Sequence, residues 1–293
     1  MSAYDFETWD VFTERRFAGN PLAVVMDARG LSEMDMQTIA REFNYAESTF
    51  VLPPDDPANA AKVRIFTPNY EMPFAGHPTV GTALAIARAR KLSGDLRLEL
   101  KAGVFPIRVR RNGEAYFAEF DNPNRPAERG PAPPAEAIEK ALCLPSGTIE
   151  RGAERPRRVG AGVDFYFAKA ALAAVRRARL DASAFESLDF KGVIGVLLYA
   201  EGGEADADYH VRMFAPGAGV PEDPATGSAA AALPGQLALA GRLAGARELV
   251  IEQGVEMGRP SRIHVRCEVK DGVAAAVSVG GAAVPVSTGQ IRL

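Results

Sequence analysis

Polar side chains that could do chemistry stand at two predicted helix starts. His77 precedes Pro78, and Asp223 precedes Pro224, with Ser228 shortly after. Proline is favoured at the first helical position, and a helix start carries unpaired N–H groups and the positive end of the helix dipole. Two such starts facing one cleft could hold a carboxylate, or the enolate-like charge formed when a neighbouring C–H is deprotonated. Taken singly, Asp223 is more simply a helix N-cap and Ser228 a helix-surface hydroxyl.

Proton chemistry also needs a base, and Glu47 is the candidate. It lies in a segment, 44–51, where an acidic residue enters an otherwise apolar predicted strand. By composition alone it would be a solvated strand residue more often than not. Burial would disfavour its charged form and make it a competent acid and base near neutral pH.

Motifs for other chemistries are missing. The sequence has no Walker A, GxGxxG or GxSxG motif, since the glycine pair of 217–219 lacks the third glycine. The histidines form no HxxxH pair or His/Cys cluster, so a zinc site is not predicted. His210 and His264 lie in strand patterns and are interpreted as structural, and Cys143 and Cys267 as packed thiols. A mechanism without cofactor or metal is the economical expectation.

Length and composition limit the class of protein. A chain of 293 residues favours two domains, and a net charge of −3 argues against a nucleic-acid or anionic-membrane surface. The acidic first residues lack a signal-peptide core, and the uncharged stretch 224–241 is read as a buried helix broken by Pro234-Gly235. Two cysteines without CxxC spacing suit a reducing, cytoplasmic setting.

A sequence repeat supports two similar domains. Residues 63–68, VRIFTP, recur as VRMFAP at 211–216, an offset of 148, and Thr79 and Thr226 keep an offset of 147. Solenoid units are far shorter. Chance could give six similar residues, but the loop and helix start that follow also correspond. A cleft between two such domains is a natural small-molecule site.

The coarse element pattern is strand-rich. Alternating segments predict strands at 4–12, 61–66, 96–100, 115–120, 164–168, 193–200, 207–214, 248–252, 262–269 and 273–279, with a hairpin turn at Asn112-Gly113. Helices are predicted after Ser32, from Pro78 to about Leu92, and from Pro224 with Asp223 as N-cap. The proline-rich stretch 122–134 reads as a linker. Many strands with few helices favour an α+β fold.

Longer strings resemble a known family, the phenazine-biosynthesis isomerases (PhzF-like) of the diaminopimelate epimerase-like fold group. The resemblance covers nearly the whole chain. On either side of Glu47 the sequence departs from the family, with Ala46 in place of the usual Ser and Ser48 in place of the usual Thr. The matching strings are DVF at 10–12, FAGNPLAV at 17–24, Asn44-x-x-Glu47, EMPFAGHPT at 71–79, EDPATGSA at 222–229, QG at 253–254 and GRPS at 258–261.

The resemblance implies a fold of two pseudo-symmetric domains, each a curled, mostly antiparallel sheet around a central helix. We expect domains at 1–122, completed by 281–293, and at 123–280. It implies Glu47 as the acid/base, with a pocket between the domains lined by Gly76, His77, Asp223, Gly227 and Ser228, and no cofactor or metal. The best-known member acts on trans-2,3-dihydro-3-hydroxyanthranilate, and members are commonly homodimers.

Glu47, His77 and Asp223 are therefore the expected catalytic residues of an isomerase that moves a C–H proton on a small carboxylate-bearing substrate. A one-base amino-acid or hydroxy-acid epimerase is the alternative enzyme, and a non-catalytic small-molecule-binding protein the alternative class. The two-thiol racemases of this fold group are disfavoured, because neither helix start holds a cysteine. We expect neither nucleic acid nor membrane as a partner.

Overall fold

The structure is a computed structural model that describes residues 2–112, 115–204 and 206–293. The chain divides into two compact units, Met1–Phe120 with Gly280–Leu293, and Asp121–Val279. Within the described residues, no helix is both long enough and apolar enough to cross a bilayer.

Within the described residues, the first unit holds eight strands and two helices together with the last part of a ninth strand, β17 (Val273–Arg292), described below. In chain order they are β1 Ala3–Val11, β2 Asn20–Val25, α1 Glu33–Phe43, β3 Glu47–Leu52, β4 Ala61–Phe66, β5 Glu71–Met72, α2 Gly76–Arg90, β6 Gly94–Leu100, β7 Gly103–Asn112 and β8 Ala115–Asp121. The predicted start of α1 is confirmed, because Ser32 and Asp35 form a capping box. The turn predicted after Asn112 falls outside the described residues, although its flanking strands pair antiparallel.

Within the described residues, the second unit holds the remaining strands and four α-helices. They are β9 Ala127–Gly130, α3 Ala135–Ala141, β10 Arg157–Gly160, β11 Asp164–Lys169, α4 Leu172–Arg177, α5 Ala182–Glu186, β12 Val193–Glu201, β13 Tyr209–Ala215, β14 Val220–Asp223, α6 Gly227–Leu239, β15 Gly245–Gln253, β16 Ser261–Lys270 and β17 Val273–Arg292. From Gly280 onward, β17 belongs to the first unit, where it pairs antiparallel with β1.

Both units use one strand topology. In the first, β1 and β2 pair antiparallel, β2 and β3 parallel, β3 and β4 antiparallel, β4 and β6 parallel, and β6 and β7 antiparallel. The second repeats this order with β10, β11, β12, β13, β15 and β16. Short strands β5 and β14 pair with β4 and β13. The expected α+β fold with two pseudo-symmetric halves is confirmed.

In each unit the strands pack on one buried helix. Helix α2 is buried from Gly76 to Ala87 and contacts β1, β2, β3 and β7. Helix α6 is buried along most of its length and contacts β9 and the corresponding strands β10, β11 and β16. A helix covered on all sides needs no polar face, which explains why both sequences are rich in Ala, Gly and Leu rather than amphipathic.

Two expectations about local structure were wrong. Helix α6 begins at Gly227 with Thr226 as N-cap, so Asp223 is the last residue of β14 and not the N-cap of the helix. The helix also continues through Pro234-Gly235, where a Cβ on Gly235 would lie 2.7 Å from Pro126 Cβ. Close packing around this buried helix outweighs its weak local propensity.

The proline-rich stretch 122–134 is also more than a linker. Its proline-free centre forms β9, which pairs antiparallel with β10 inside the second unit. Pro126 and Pro131 flank the strand without interrupting it. The prolines therefore delimit a short strand rather than mark a structureless connection.

Candidate active site

In the first unit, one residue group lies where β3 begins and α2 starts. Glu47 is the first residue of β3, opposite Leu22 of the parallel neighbour β2. Gly76 and His77 are the first two residues of α2, and the N-cap Ala75 offers no side-chain cap. The first N–H groups of this helix therefore have no capping side chain to bind.

Glu47 and His77 face each other. His77 Nδ1 lies 3.5 Å from Glu47 Oε2, a distance too long for a strong hydrogen bond, and their side chains are 4% and 15% exposed. Burial lowers the pKa of His77 to about 3, although the Pro21 carbonyl favours the protonated ring. His77 is thus a neutral imidazole near neutral pH, and among the described residues its Nε2 has no hydrogen-bond partner.

Packing fixes the position of α2 against the strands that carry Glu47. A Cβ on Gly81 would lie 2.6 Å from the side chains of Leu22 and Val11, so the helix backbone approaches β1 and β2 as closely as a glycine permits. Thr82 Oγ1 donates a 2.8 Å hydrogen bond to Thr49 Oγ1 on β3. The geometry of the Glu47 and His77 pair is therefore held by rigid elements.

In the second unit, the loop between β14 and α6 carries the corresponding group. Asp223 ends β14, and Gly227 and Ser228 are the first two residues of α6. Asp223 and Ser228 are half-buried, and Gly227 is buried. Thr226 Oγ1 donates a 2.5 Å hydrogen bond to Asp223 Oδ2, which orients that carboxylate instead of capping the helix.

Gln253, at the end of β15, holds this loop through side-chain hydrogen bonds. Its Nε2 donates to the Asp223 carbonyl at 2.6 Å and to Thr226 Oγ1 at 3.0 Å, while its Oε1 accepts from the Thr226 N–H at 3.1 Å. Gln253 is 1% exposed. Gly254 follows with φ +76°, and a Cβ there would lie 2.7 Å from the Pro224 carbonyl. The sequence contains the QG string but gives no sign of this role, because the bonds join residues 27 to 30 positions apart.

An arginine–glutamate pair supports the loop before each helix. Arg64 Nε donates to Glu71 Oε1 at 2.7 Å, and Arg212 Nε donates to Glu222 Oε1 at 2.8 Å. Each guanidinium also lies over a phenylalanine of its own strand, Phe66 at 5.1 Å or Phe214 at 4.9 Å. Both arginines belong to the repeated strings 63–68 and 211–216. What the two copies of the repeat share is therefore structural support for the helix starts.

The predicted site residues thus form two groups. Glu47, Gly76 and His77 lie together in the first unit, and Asp223, Gly227 and Ser228 lie together in the second. That the two groups share one pocket stays a prediction. Of the residues interpreted as structural, His264 is exposed on β16. Cys267 is buried, but Cys143 is exposed, so the packed-thiol interpretation was wrong for Cys143.

Comparisons with known proteins agree with this architecture. Residues 9–289 match the phenazine biosynthesis-like protein family. An uncharacterised isomerase of Mesorhizobium japonicum is 43% identical, covering 99% of both chains. Trans-2,3-dihydro-3-hydroxyanthranilate isomerase of Pseudomonas aeruginosa is 38% identical, covering 97% of this chain and 98% of its own. The crystal structure of a Bacillus anthracis phenazine biosynthesis protein of the PhzF family superposes with a TM-score of 0.89 over the whole of both chains, at 26% identity.

The fold and these similarities define an enzyme of the isomerase class with a diaminopimelate epimerase-like fold. The chain belongs to the phenazine biosynthesis-like family.

Proposed function

We propose that the protein is a cofactor-independent isomerase that moves a proton between carbons of a small carboxylate-bearing substrate, and that this substrate is trans-2,3-dihydro-3-hydroxyanthranilate or a close analogue. The observation that carries the proposal is the half-buried Glu47 carboxyl beside a neutral His77. The substrate class comes from the name of the Pseudomonas aeruginosa relative.

In the proposed reaction, Glu47 acts first as base and then as acid. Its carboxylate takes a proton from a substrate C–H, and the bonding electrons delocalise over the conjugated carbons and the carboxyl group. The resulting glutamic acid returns the proton to another carbon, so atoms and electrons balance without a co-reactant. A neutral His77 suits this role, because it neither takes the proton nor holds the carboxylate in an ion pair.

The helix starts would supply electrostatic stabilisation. The N–H groups at Gly76–His77 and Gly227–Ser228 lie at the positive ends of two helix dipoles, where an anion is favoured. Asp223, oriented by Thr226, would accept hydrogen bonds from a substrate amine or hydroxyl. We propose that both groups act on one substrate molecule, and that the enzyme is a cytoplasmic homodimer, as the family resemblance implies.

Incubation with trans-2,3-dihydro-3-hydroxyanthranilate in D₂O, followed by NMR, tests the reaction. A shifted double bond with the proton or deuteron at a new carbon is expected. Exchange at the original carbon with inversion of its configuration would instead establish the epimerase. No change of any kind would refute the substrate. Sedimentation equilibrium tests the dimer, which should have twice the 31.2 kDa chain mass.

A further inference from the structure

The two units differ at one pair of equivalent positions on their parallel strands. In the first unit, Lys62 of β4 is in register with Glu99 of β6, and Lys62 Nζ reaches out to the exposed Asp55 at 2.7 Å. In the second unit, the corresponding register joins His210 of β13 to Glu252 of β15. His210 is fully buried. A surface lysine in one half is thus replaced by a buried titratable group in the other.

Both ring nitrogens of His210 face carboxylates. Nδ1 lies 2.5 Å from Glu252 Oε2, and Nε2 lies 3.0 Å from Glu256 Oε1. A neutral imidazole has one N–H and can donate to only one of these carboxylates. The lone pair of its other nitrogen would then face a carboxylate oxygen, unless that nitrogen also binds a proton. Burial alone would lower the pKa of His210, but hydrogen bonds to Glu256 and Glu252 outweigh it and raise that pKa.

The contacts of His210 bracket the segment that holds the Asp223 loop. Glu252 and Glu256 lie on either side of Gln253 and Gly254, and Glu256 belongs to the 3₁₀ helix Val255–Met257. Gln253 binds the Asp223 carbonyl and both the N–H and the hydroxyl of Thr226. A protonated His210 therefore binds both ends of the segment 252–256. Gln253, inside this segment, holds the residues at the start of α6.

Other charged groups complete the surroundings. From the same strand, Arg212 Nε lies 3.8 Å from Glu256 Oε2, and Arg212 also binds Glu222 of β14 through two N–H donors at 2.8 Å. Glu252 accepts in addition from the Glu204 N–H at 3.2 Å. Arg212 thus contacts the carboxylates Glu222 and Glu256, whereas His210 contacts Glu252 and Glu256.

We propose that His210 is a positioning residue: its imidazolium, held by Glu252 and Glu256, fixes the segment 252–256 and, through Gln253, the Asp223–Thr226 loop. The inference deepens the proposed function, since it rests on Asp223 as a substrate-orienting group. Because the folded-state pKa is raised, this support is complete below the unfolded-state value of about 6.5 and is lost as pH rises through the folded-state value.

The Thr226 amide reports the state of the loop without any substrate. Its hydrogen exchange should be measured by NMR from pH 6 to pH 9.5, corrected for intrinsic exchange, beside the imidazole signals of the three histidines. The equilibrium constant for the local opening that releases His210 should rise by up to about tenfold per pH unit between the unfolded-state and folded-state pKa values of His210. The loss of Thr226 protection should therefore begin near pH 6.5 and level off at the midpoint of the His210 titration in the folded protein.

Variants test the contribution of each of these residues separately. His210→Gln should make Thr226 protection independent of pH, whereas removal of the exposed histidine, His264→Gln, should leave the native response. Gln253→Leu, which introduces the residue found at the equivalent position 100, should deprotect Thr226 at every pH while His210 still titrates. If His210→Gln does not fold, Glu256→Gln removes one carboxylate and should move the midpoint to lower pH.

A flat Thr226 profile in the native protein, the native response in His210→Gln, or an unmoved midpoint in Glu256→Gln would each overturn the proposal. These readouts are independent of the proposed activity. Failure to convert the substrate would refute the isomerase reaction and leave the Thr226 response standing. If the substrate is converted, kcat/KM should fall at alkaline pH in the native enzyme and lose that pH dependence in His210→Gln.

Discussion

At the scale of single residues, the acid/base assignment rests on Glu47. Glu47→Gln keeps the size of the side chain but removes its ability to accept a proton. We expect kcat to fall by about 10²–10⁴-fold with little change in substrate affinity. Glu42→Gln, on the exposed surface of α1 five residues away, is the matched control and should retain native turnover. A folded Glu47→Gln enzyme with native kcat would remove Glu47 from the mechanism.

His77 should behave as a buried neutral ring. Its folded-state pKa of about 3 lies below the unfolded value of about 6.5, so the unfolded state binds a proton that the folded state does not. Stability should therefore fall as pH drops below 6.5, by up to about 1.4 kcal/mol per unit from this group.

Urea unfolding at pH 6.5 and pH 5 checks this expectation. The loss of stability between the two pH values should be about 1.6 kcal/mol smaller in His77→Gln than in the native protein or in His264→Gln. Equal losses in all three proteins, or an NMR titration of His77 near pH 6.5, would contradict the neutral-ring assignment.

The sequence singled out Glu47 and His77 because each interrupts its surroundings, an acid in an apolar strand and a histidine before a helix-starting proline. It could not single out Gln253 or the role of His210. Their partners are set by the parallel register of β13 and β15, which a single sequence does not specify. His210 matches the strand pattern of a core residue, and that pattern carries no sign of the two carboxylates it meets.

At the scale of elements, helix starts were located to within a few residues, and the cap was predicted correctly for α1 but not for α6. Asp223 followed by proline has the local form of an N-cap, yet β14 extends to Asp223 and pairs with Met213 of β13. The strand pairing delays the helix to Gly227. Similarly, Pro234-Gly235 reads as a break, and the fold retains both residues inside a helix packed tightly on all sides.

Gly254 and Gly258 provide a matched test of the turn beneath the Asp223 loop. Both have positive φ, +76° and +70°, but a Cβ at position 254 would lie 2.5 Å from the Arg259 carbonyl and 2.7 Å from the Pro224 carbonyl, whereas position 258 has open space. Gly258→Ala should cost about 1–2 kcal/mol of unfolding free energy from backbone strain alone. Gly254→Ala should cost a further 1–3 kcal/mol, roughly, from overpacking. Equal costs by urea unfolding would show that the close approach has no energetic weight.

At the scale of the whole molecule, one topology occurs twice but its chemistry does not. The repeated arginines, phenylalanines and helix starts maintain the fold in both units. The differences include the positions to which the proposed chemistry is assigned. The first unit alone has the Glu47 and His77 pair, and the second has Gln253 and His210 where the first has Leu100 and Lys62. Such divergence suits a division of labour in which the first half moves the proton and the second orients the substrate.

That division requires both halves to act on one bound molecule, which ligand titration can decide. In the Glu47→Gln protein, where turnover should be blocked, trans-2,3-dihydro-3-hydroxyanthranilate is added while amide resonances are followed by NMR. The amides of His77 and Ser228 should shift with a single common Kd, because one binding event perturbs both helix starts. The amide of Gly272, in the turn between β16 and β17, serves as the unperturbed reference. Different Kd values, or a shift confined to one unit, would mean that the halves do not share a substrate, and the proton shift would then have to be completed by residues of the first unit alone.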